Sequence, residues 1–340
     1  MRAAVFSYPP HIEIREKPVP VPGEGEVVIE VKAAALCGTD LRIARRGHGS
    51  IKQDEERILG HEVVGIIVAK GKGVEGLPEG SKVAVAPNYG CGQCRYCIQG
   101  LTHHCPETRA IGVTVDGGFA EFMLVPKRVV TQGNVVVLPP EVHFIDVAFV
   151  EALACVVHGF LPLKVDFQDR VLIYGAGPIG LMFWELARHF GAKEVWIADL
   201  SPERLQVAQS RGANTILVEK ESVKEKLGSA DVVIVAAPSP SAQREALEIA
   251  ETYGRINFFG GLPPQVKDVP LPSNLIHYKE LLVTGTTRSN NFHFRYALEL
   301  LLTRRIDLSY LVSHTLPLEK IEEGLQLMES QKSLKVVLTP

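Results

Sequence analysis

RVLIYGAGPIGLMFWELARHFGAKEVWIAD, residues 170–199, holds a strand, a turn, a helix and a second strand in immediate succession. Val171 to Tyr174 is a short apolar run of the kind that forms a strand buried on both faces. It enters Gly175-Ala-Gly177-Pro178-Ile179-Gly180, after which Leu181, Glu185, Leu186 and Arg188 predict a helix that Gly191 stops. Glu194 to Ala198 predicts the second strand, which ends in Asp199. A G-x-G-x-x-G motif carries little weight alone. Between strand and helix, with an acidic residue nineteen positions beyond its last glycine, it is the fingerprint of a dinucleotide-binding unit. Gly175 permits the tight turn, Gly177 lets backbone approach a pyrophosphate, and Gly180 lets the helix pack close to the strand. The helix N-terminus, with Pro178 and Ile179 in its first turn, faces phosphate charge. Asp199 can accept hydrogen bonds from both ribose hydroxyls and repels a 2′-phosphate, which favours NAD over NADP.

Working outward, the same alternation continues. Pro202 to Arg211 predicts a helix, Thr215 to Val218 a strand, and Ala230 to Ala236 another buried strand. Ser241 to Tyr253 is expected to be helical, Arg255 to Gly260 a strand, and Leu281 to Gly285 the last of the set. Strands alternating with helices over this length imply an α/β fold, a Rossmann doubly wound parallel sheet, over residues 148–287. Residues 25 to 140 have a different character: β-type alternation with many glycines and prolines, as in EVVIEVKAA, EVVGIIVAKG and FAEFMLVP. They predict an antiparallel, barrel-like domain over 1–147. Residues 288–340 return to it with helices from Phe292 to Arg304 and Leu318 to Ser330 and a strand from Leu334 to Leu338.

The bulk numbers exclude several functions. At 340 residues, 46% hydrophobic and 22% charged, the chain has the composition of a globular protein of about two domains. A net charge of -3 from scattered charges predicts no pull toward nucleic acid. MRAAVFSYPP lacks an apolar signal core, and the apolar stretch Val147 to Val165 carries Glu151. No membrane partner and a cytoplasmic location are therefore expected. In a reducing compartment a tight cysteine cluster reads as a metal site before it reads as disulfides.

Such a cluster exists. CGQCRYCIQGLTHHC, residues 91–105, spaces Cys91, Cys94, Cys97 and Cys105 as C-x2-C-x2-C-x7-C. Four thiolates can surround one zinc tetrahedrally and leave no position open, so this site is structural and not reactive. His103 and His104 lie in the loop and are expected to face solvent. A binding module built on this loop alone is the non-enzyme alternative, but it leaves other motifs unexplained.

Those motifs are CGTD, Cys37 to Asp40, and GHEVVG, Gly60 to Gly65. Taken singly, Cys37 also fits a buried core thiol and His61 a hydrogen-bonded histidine at a strand start. In order, CGTD, GHEVVG, the four-cysteine loop and GAGPIG resemble the zinc-containing medium-chain dehydrogenase/reductase superfamily over nearly the whole chain. The resemblance implies a GroES-like catalytic domain before the Rossmann domain, with substrate between them, and two zinc ions per chain plus NAD. It implies that Cys37 and His61 bind a catalytic zinc, with Glu62 as an exchangeable ligand. Glu151, in VEALACVVHGF, matches the acidic ligand position of the sorbitol dehydrogenase-like branch. Thr39 matches the hydroxyl that bonds the substrate oxygen, and Asp40 the carboxylate that orients the ligating histidine.

The implied chemistry is hydride transfer between NAD and a secondary alcohol of a polyol, sugar or sugar acid through a zinc-bound alkoxide. L-Threonine 3-dehydrogenase or a general secondary-alcohol dehydrogenase is the alternative within the family, and relatives are homodimers or homotetramers. One position departs from the family pattern. Arg42 stands where many relatives carry a histidine that passes the proton to solvent, and an arginine cannot act as base. The relay then ends at water, at a cofactor ribose hydroxyl or at His48. Arg42, Arg45, Arg46 and His48 also make this segment basic, and one of the arginines is expected to meet a substrate carboxylate or dense hydroxyls.

Overall fold

The structure is a computed structural model that describes all residues, 1–340. The chain divides into two compact units, Met1–Ala154 with Arg288–Pro340, and Cys155–Thr287. The first boundary falls inside the helix Val150–Phe160, seven residues beyond the expected one, because the helix runs on without a break.

In the Cys155–Thr287 unit six parallel strands form one sheet. Their spatial order is Asn214–Leu217, Glu194–Asp199, Arg170–Tyr174, Ala230–Val235, Ala250–Phe258 and Leu282–Gly285. Numbered along the chain this is 3-2-1-4-5-6, the doubly wound order with its reversal beside Arg170–Tyr174. Val171, Leu172 and Ile173 are wholly buried, as their unbroken apolar run requires. The expected helix Ser241 to Tyr253 is shorter: it spans Pro240–Ile249, and the next strand already begins at Ala250. Ala250 turns to extended backbone and pairs with Ala230 in the sheet, so sheet pairing overrides the local helical pattern.

The other unit is mostly β. Its main sheet runs Val135–Val137, Lys82–Val85, Glu62–Lys70, Val27–Ala35, Lys335–Thr339, Val312–Pro317, with Phe122–Val125 also on Val27–Ala35. The pairs are antiparallel except the last, where Val312–Pro317 runs parallel to Lys335–Thr339. Val312–Pro317, VSHTLP, alternates half-buried and exposed residues but carries only two aliphatic side chains, too weak a pattern to stand out in the sequence. Ile29, Val63, Ile67, Val83 and Phe119 fill the core beneath the sheet. Phe144–Leu163 is long and apolar enough to cross a membrane, but 67% of it is buried inside the protein and it serves as core.

Three neighbouring strands of this sheet set up the candidate site. Ala35 ends its strand opposite Glu62, and Val337 lies opposite Ala35 on the other side. The segments that carry Cys37, Glu62 and Lys335 are therefore brought side by side from three distant parts of the chain.

Candidate metal centre and dinucleotide loop

Cys37 is the N-cap of the helix Gly38–Arg46, and only Leu36 and Cys37 separate that helix from the Val27–Ala35 strand. Asp40 accepts a hydrogen bond from the Cys37 backbone N–H at 2.9 Å through Oδ2, closing a capping box. Its other oxygen, Oδ1, lies 3.3 Å from Nδ1 of His61, and neither atom has another hydrogen-bond partner. Asp40 thus ties the two motifs together and turns the Nε2 side of His61 away from itself. Gly60 precedes His61 at φ 96, and a Cβ there would stand 2.6 Å from the ring of Phe119, so only glycine admits this turn. The ligand atoms of Cys37, His61 and Glu62 all lie within 4.8 Å of one another.

The pocket favours positive charge. Burial pulls the His61 imidazole down, but the charges of Asp40 and Cys37 reverse this and raise it well above the usual histidine value. Burial pushes the Glu62 carboxyl up, to about 7, against the charge of Lys335, and the nearby charge of Glu151 adds to the push. Burial also works against the Lys335 ammonium, yet Glu62 chiefly, with Cys37 and Asp40, raises its pKa. Lys335 donates to both Glu62 oxygens, at 2.7 and 2.6 Å, and to the Leu36 carbonyl at 2.9 Å. The ammonium thus has an acceptor for each of its three protons. A thiol, an imidazole and a carboxylate in a field that holds cations fit a zinc ion.

Glu151 is buried on the helix Val150–Phe160 and is felt electrostatically at Glu62, but it is not part of the three-residue cluster. Thr39 lies in the first turn of the Gly38–Arg46 helix, and its Oγ1 accepts a hydrogen bond from Arg42 at 3.2 Å. The arginine in the place of the expected relay base therefore contacts the hydroxyl that is expected to bond the substrate oxygen. Of the arginines from which one substrate contact is expected, Arg45 already has carboxylate partners. It is committed to Glu322 at 2.7 Å and to Glu329 at 3.2 Å on the helix Ile321–Glu329. His48 shares Nδ1 with Ser50 Oγ at 2.6 Å, and its pKa is lowered by burial first and then by Arg42 and Arg288.

The second cluster is local. The sulfurs of Cys91, Cys94, Cys97 and Cys105 gather within 4.8 Å of one another, and none is in a disulfide. Backbone N–H groups of Cys91 and Glu107 donate to Cys105 Sγ and that of Cys94 to Cys91 Sγ, each at 3.3 Å. A Cβ on Gly90 would meet Cys97 Sγ at 2.5 Å, so the loop closes only over glycine. The Cys94 thiol is drawn down to about 7, first by the Cys97 amide, whereas burial pushes Cys97 up to about 12. Four sulfurs this close ionise together only around a cation, and the set fits a closed tetrahedral zinc. His103 departs from expectation: the Thr102–His104 turn buries it, and only His104 faces solvent.

In the other unit Gly175 takes φ 110, and a Cβ on Gly180 would lie 1.7 Å from the Gly175 carbonyl oxygen. Gly177 caps the helix Pro178–His189, with Pro178 at its first position and Ile179 next. Asp199 ends its strand and accepts from the backbone N–H of Ala176 at 2.5 Å and of Ser201 at 2.8 Å. Its carboxylate thus links the glycine turn to the following turn and retains lone pairs for a ribose. Arg204 reaches within 3.7 Å of the Gly177 Cβ position, and its Nε is buried without a partner.

One signal in the sequence bears on what was missed. Lys335 is a lone charge at the head of the apolar run KVVLTP, a pattern that marks a buried, paired lysine. The Arg45 pairing, across 277 residues, has no local signal at all.

Comparison with known proteins agrees with this geometry. Residues 23–136 match the family model of the alcohol dehydrogenase GroES-like domain, and residues 178–303 that of zinc-binding dehydrogenase. An L-threonine 3-dehydrogenase of Stenotrophomonas maltophilia (strain K279a) is 32% identical over 335 residues, 96% of each chain. A candidate zinc-binding dehydrogenase of Sinorhizobium meliloti 1021, solved bound to NADP, superimposes with a TM-score of 0.91 at 29% identity. The match covers 100% of this chain and 99% of that one. Galactitol-1-phosphate dehydrogenase of Escherichia coli gives a TM-score of 0.88 at 29% identity, over 100% of both chains. With a GroES-like unit, a doubly wound unit and two clusters fit for zinc, the chain belongs to the zinc-containing medium-chain dehydrogenase/reductase family and is an oxidoreductase.

Proposed function

We propose that the protein transfers hydride between NAD and a secondary alcohol of a polyol, sugar or sugar acid. In this reading Cys37 and His61 hold a catalytic zinc flanked by the carboxylates of Glu62 and Glu151, and Cys91, Cys94, Cys97 and Cys105 hold a structural one. The observation that carries it is the buried Cys37, His61 and Glu62 cluster with Asp40 behind the imidazole. When bound, the first zinc polarises the substrate oxygen and lowers the pKa of the hydroxyl.

The chain's own residues do the rest. Thr39 accepts from Arg42 and so keeps its own hydroxyl proton available to the substrate oxygen, which stabilises negative charge there. His48, held neutral at working pH by burial and by the charges of Arg42 and Arg288, is a base able to receive the proton. Asp199 supports NAD over NADP, since a 2′-phosphate would meet its charge.

A solved structure 29% identical over the whole chain is of an enzyme that acts on galactitol 1-phosphate by name, which supports a polyhydroxy substrate. A second reading, oxidation of L-threonine at its secondary hydroxyl, is favoured by the 32% identity to an L-threonine 3-dehydrogenase. A screen of NAD reduction by zinc-loaded protein against polyols, polyol phosphates, aldonates, inositols and threonine separates them. Turnover confined to threonine would replace the polyol reading. No turnover of any secondary alcohol would remove both.

A further inference from the structure

The helix Gly38–Arg46 buries Asp40, Ile43 and Ala44 and leaves Arg42 and Arg46 exposed. Thr39, Arg42 and Arg46 stand at i, i+3 and i+7, so they share one helix face. The bond from Arg42 Nη2 to Thr39 Oγ1 at 3.2 Å shows that alignment at its first step. Asp40 is the only acid on the helix, and it is turned to the buried side, to the Cys37 N–H and to His61. Arg45 is paired with Glu322 and Glu329. Arg42 and Arg46 meet no carboxylate, although like charges at i and i+4 repel each other. We propose that this face, with Arg288 beside it, is an oxyanion site that binds a carboxylate or phosphate group carried by the polyhydroxy substrate. The inference rests on the polyol reading above and narrows it to acidic polyols.

Two further observations agree with the helix face. The first is His48, just beyond the helix. The Tyr8 hydroxyl fixes its backbone, accepting from the N–H at 3.0 Å and donating to the carbonyl at 3.2 Å, and Ser50 Oγ lies 2.6 Å from Nδ1. Burial, then Arg42 and Arg288, lower the pKa of the ring, and no carboxylate opposes them. Two guanidinium charges thus gather on one fixed imidazole. The second is the backbone of Arg288, which takes φ 57, a left-handed conformation uncommon for a residue with a side chain. Its neighbours hold it there: Ser289 is 3% exposed and accepts from Asn88 Nδ2 at 3.3 Å, and Asn290 caps the helix Asn291–Leu302. A positive field without its own counter-ion attracts an anion. Arg42 can serve one without leaving Thr39, since that bond uses one of five guanidinium N–H groups. Carboxylate and phosphate both accept two parallel N–H bonds from one arginine. An anion held there lies beside the hydroxyl that is expected to bond the reacting oxygen, and a neutral polyol leaves the arginines unmatched.

The test compares matched substrates on the zinc-loaded protein with NAD: hexitols, their 1-phosphates and hexonates. The anionic members should be preferred in kcat/KM by about 10- to 100-fold. Whether the phosphate or the carboxylate leads names the group, and either supports the site. Arg46→Gln should cut the preference about fivefold and Arg42→Gln about tenfold or more, with Arg42→Lys restoring part of it. Equal rates on neutral and anionic members, or a preference that neither glutamine variant alters, overturns the proposal. Binding is read apart from turnover by titrating inorganic phosphate into zinc-loaded protein saturated with NADH, which fills the glycine turn. The His48 ring signals should shift, with an apparent Kd about tenfold higher in Arg42→Gln/Arg46→Gln. No shift, or one that the double variant keeps unchanged, overturns the proposal even where no alcohol is oxidised. A phosphate shift that the double variant weakens, in a protein that oxidises no secondary alcohol, supports the oxyanion site and removes the polyol reading, so the two failures are told apart.

Discussion

The two cysteine-bearing clusters of the Met1–Ala154, Arg288–Pro340 unit are built on opposite plans. The four-cysteine loop draws all its sulfurs from fifteen consecutive residues, and backbone N–H groups are what hold those sulfurs. The Cys37, His61, Glu62 cluster is assembled across a sheet, and charged side chains from other segments hold it: Asp40 on His61 and Lys335 on Glu62. A site made of four like ligands and backbone donors is full and can only staple. A site of mixed ligands, each steered by its own partner, can leave a place open and adjust its charge. The dense cluster is the inert one.

The sharpest way to break this contrast is His61→Ala. It should remove one of two zinc ions and lower kcat/KM roughly a thousandfold, about 4 kcal/mol of transition-state stabilisation, with the melting temperature little changed. Metal analysis with calorimetry checks both halves, and a large fall in stability with activity retained would mean the two sites have been exchanged. Asp40→Ala should act in the same direction but less, weakening zinc at this site about 10- to 100-fold by releasing the imidazole. Zinc titration against a chromogenic chelator measures it.

Cys94→Ser is the mirror experiment. The loop should lose its zinc and the melting temperature should fall by roughly 10 °C, while kcat/KM per folded molecule stays within about twofold. A loss of turnover in protein that remains folded would show that the loop shapes the reacting centre after all.

The contrast also explains what the sequence displayed and what it concealed. A local site leaves a local signature: the spacing of Cys91 to Cys105 and of Gly175 to Gly180 is readable because each motif folds on itself. Cys37, His61 and Glu62 were reached only through resemblance to a family, since a sheet and not a spacing brings them together. Lys335 lay 273 residues from Glu62 and Arg45 277 from Glu322, and no periodicity connects such pairs. The helix that ends at Ile249 and not at Tyr253 failed for the same reason: the decisive contact, Ala250 with Ala230, is a sheet pairing. What local rules decide was legible, and what long-range pairing decides was not.

The smallest expected effect concerns His48, where neither metal enters. Burial, then Arg42 and Arg288, lower its pKa, so the folded chain prefers the neutral ring and binds fewer protons there than the unfolded chain. The sign follows. Above the unfolded histidine value of about 6.5 this group costs no stability, and as pH falls below it stability is lost until the folded pKa is also passed. Arg42→Leu removes one of the two cations and should move the His48 titration upward, towards the unfolded value, narrowing that window. An NMR titration of the His48 ring protons, with melting curves at pH 5 and 7, follows both. His48→Gln should abolish this share of the acid loss altogether. If the titration does not move in Arg42→Leu, the arginine acts on Thr39 alone, and the electrostatic tie between the relay hydroxyl and the histidine is broken. If it moves, one residue sets both the donor at Thr39 and the neutrality of the base, and the arginine in the relay position is a working part of the path that it could not serve as a base.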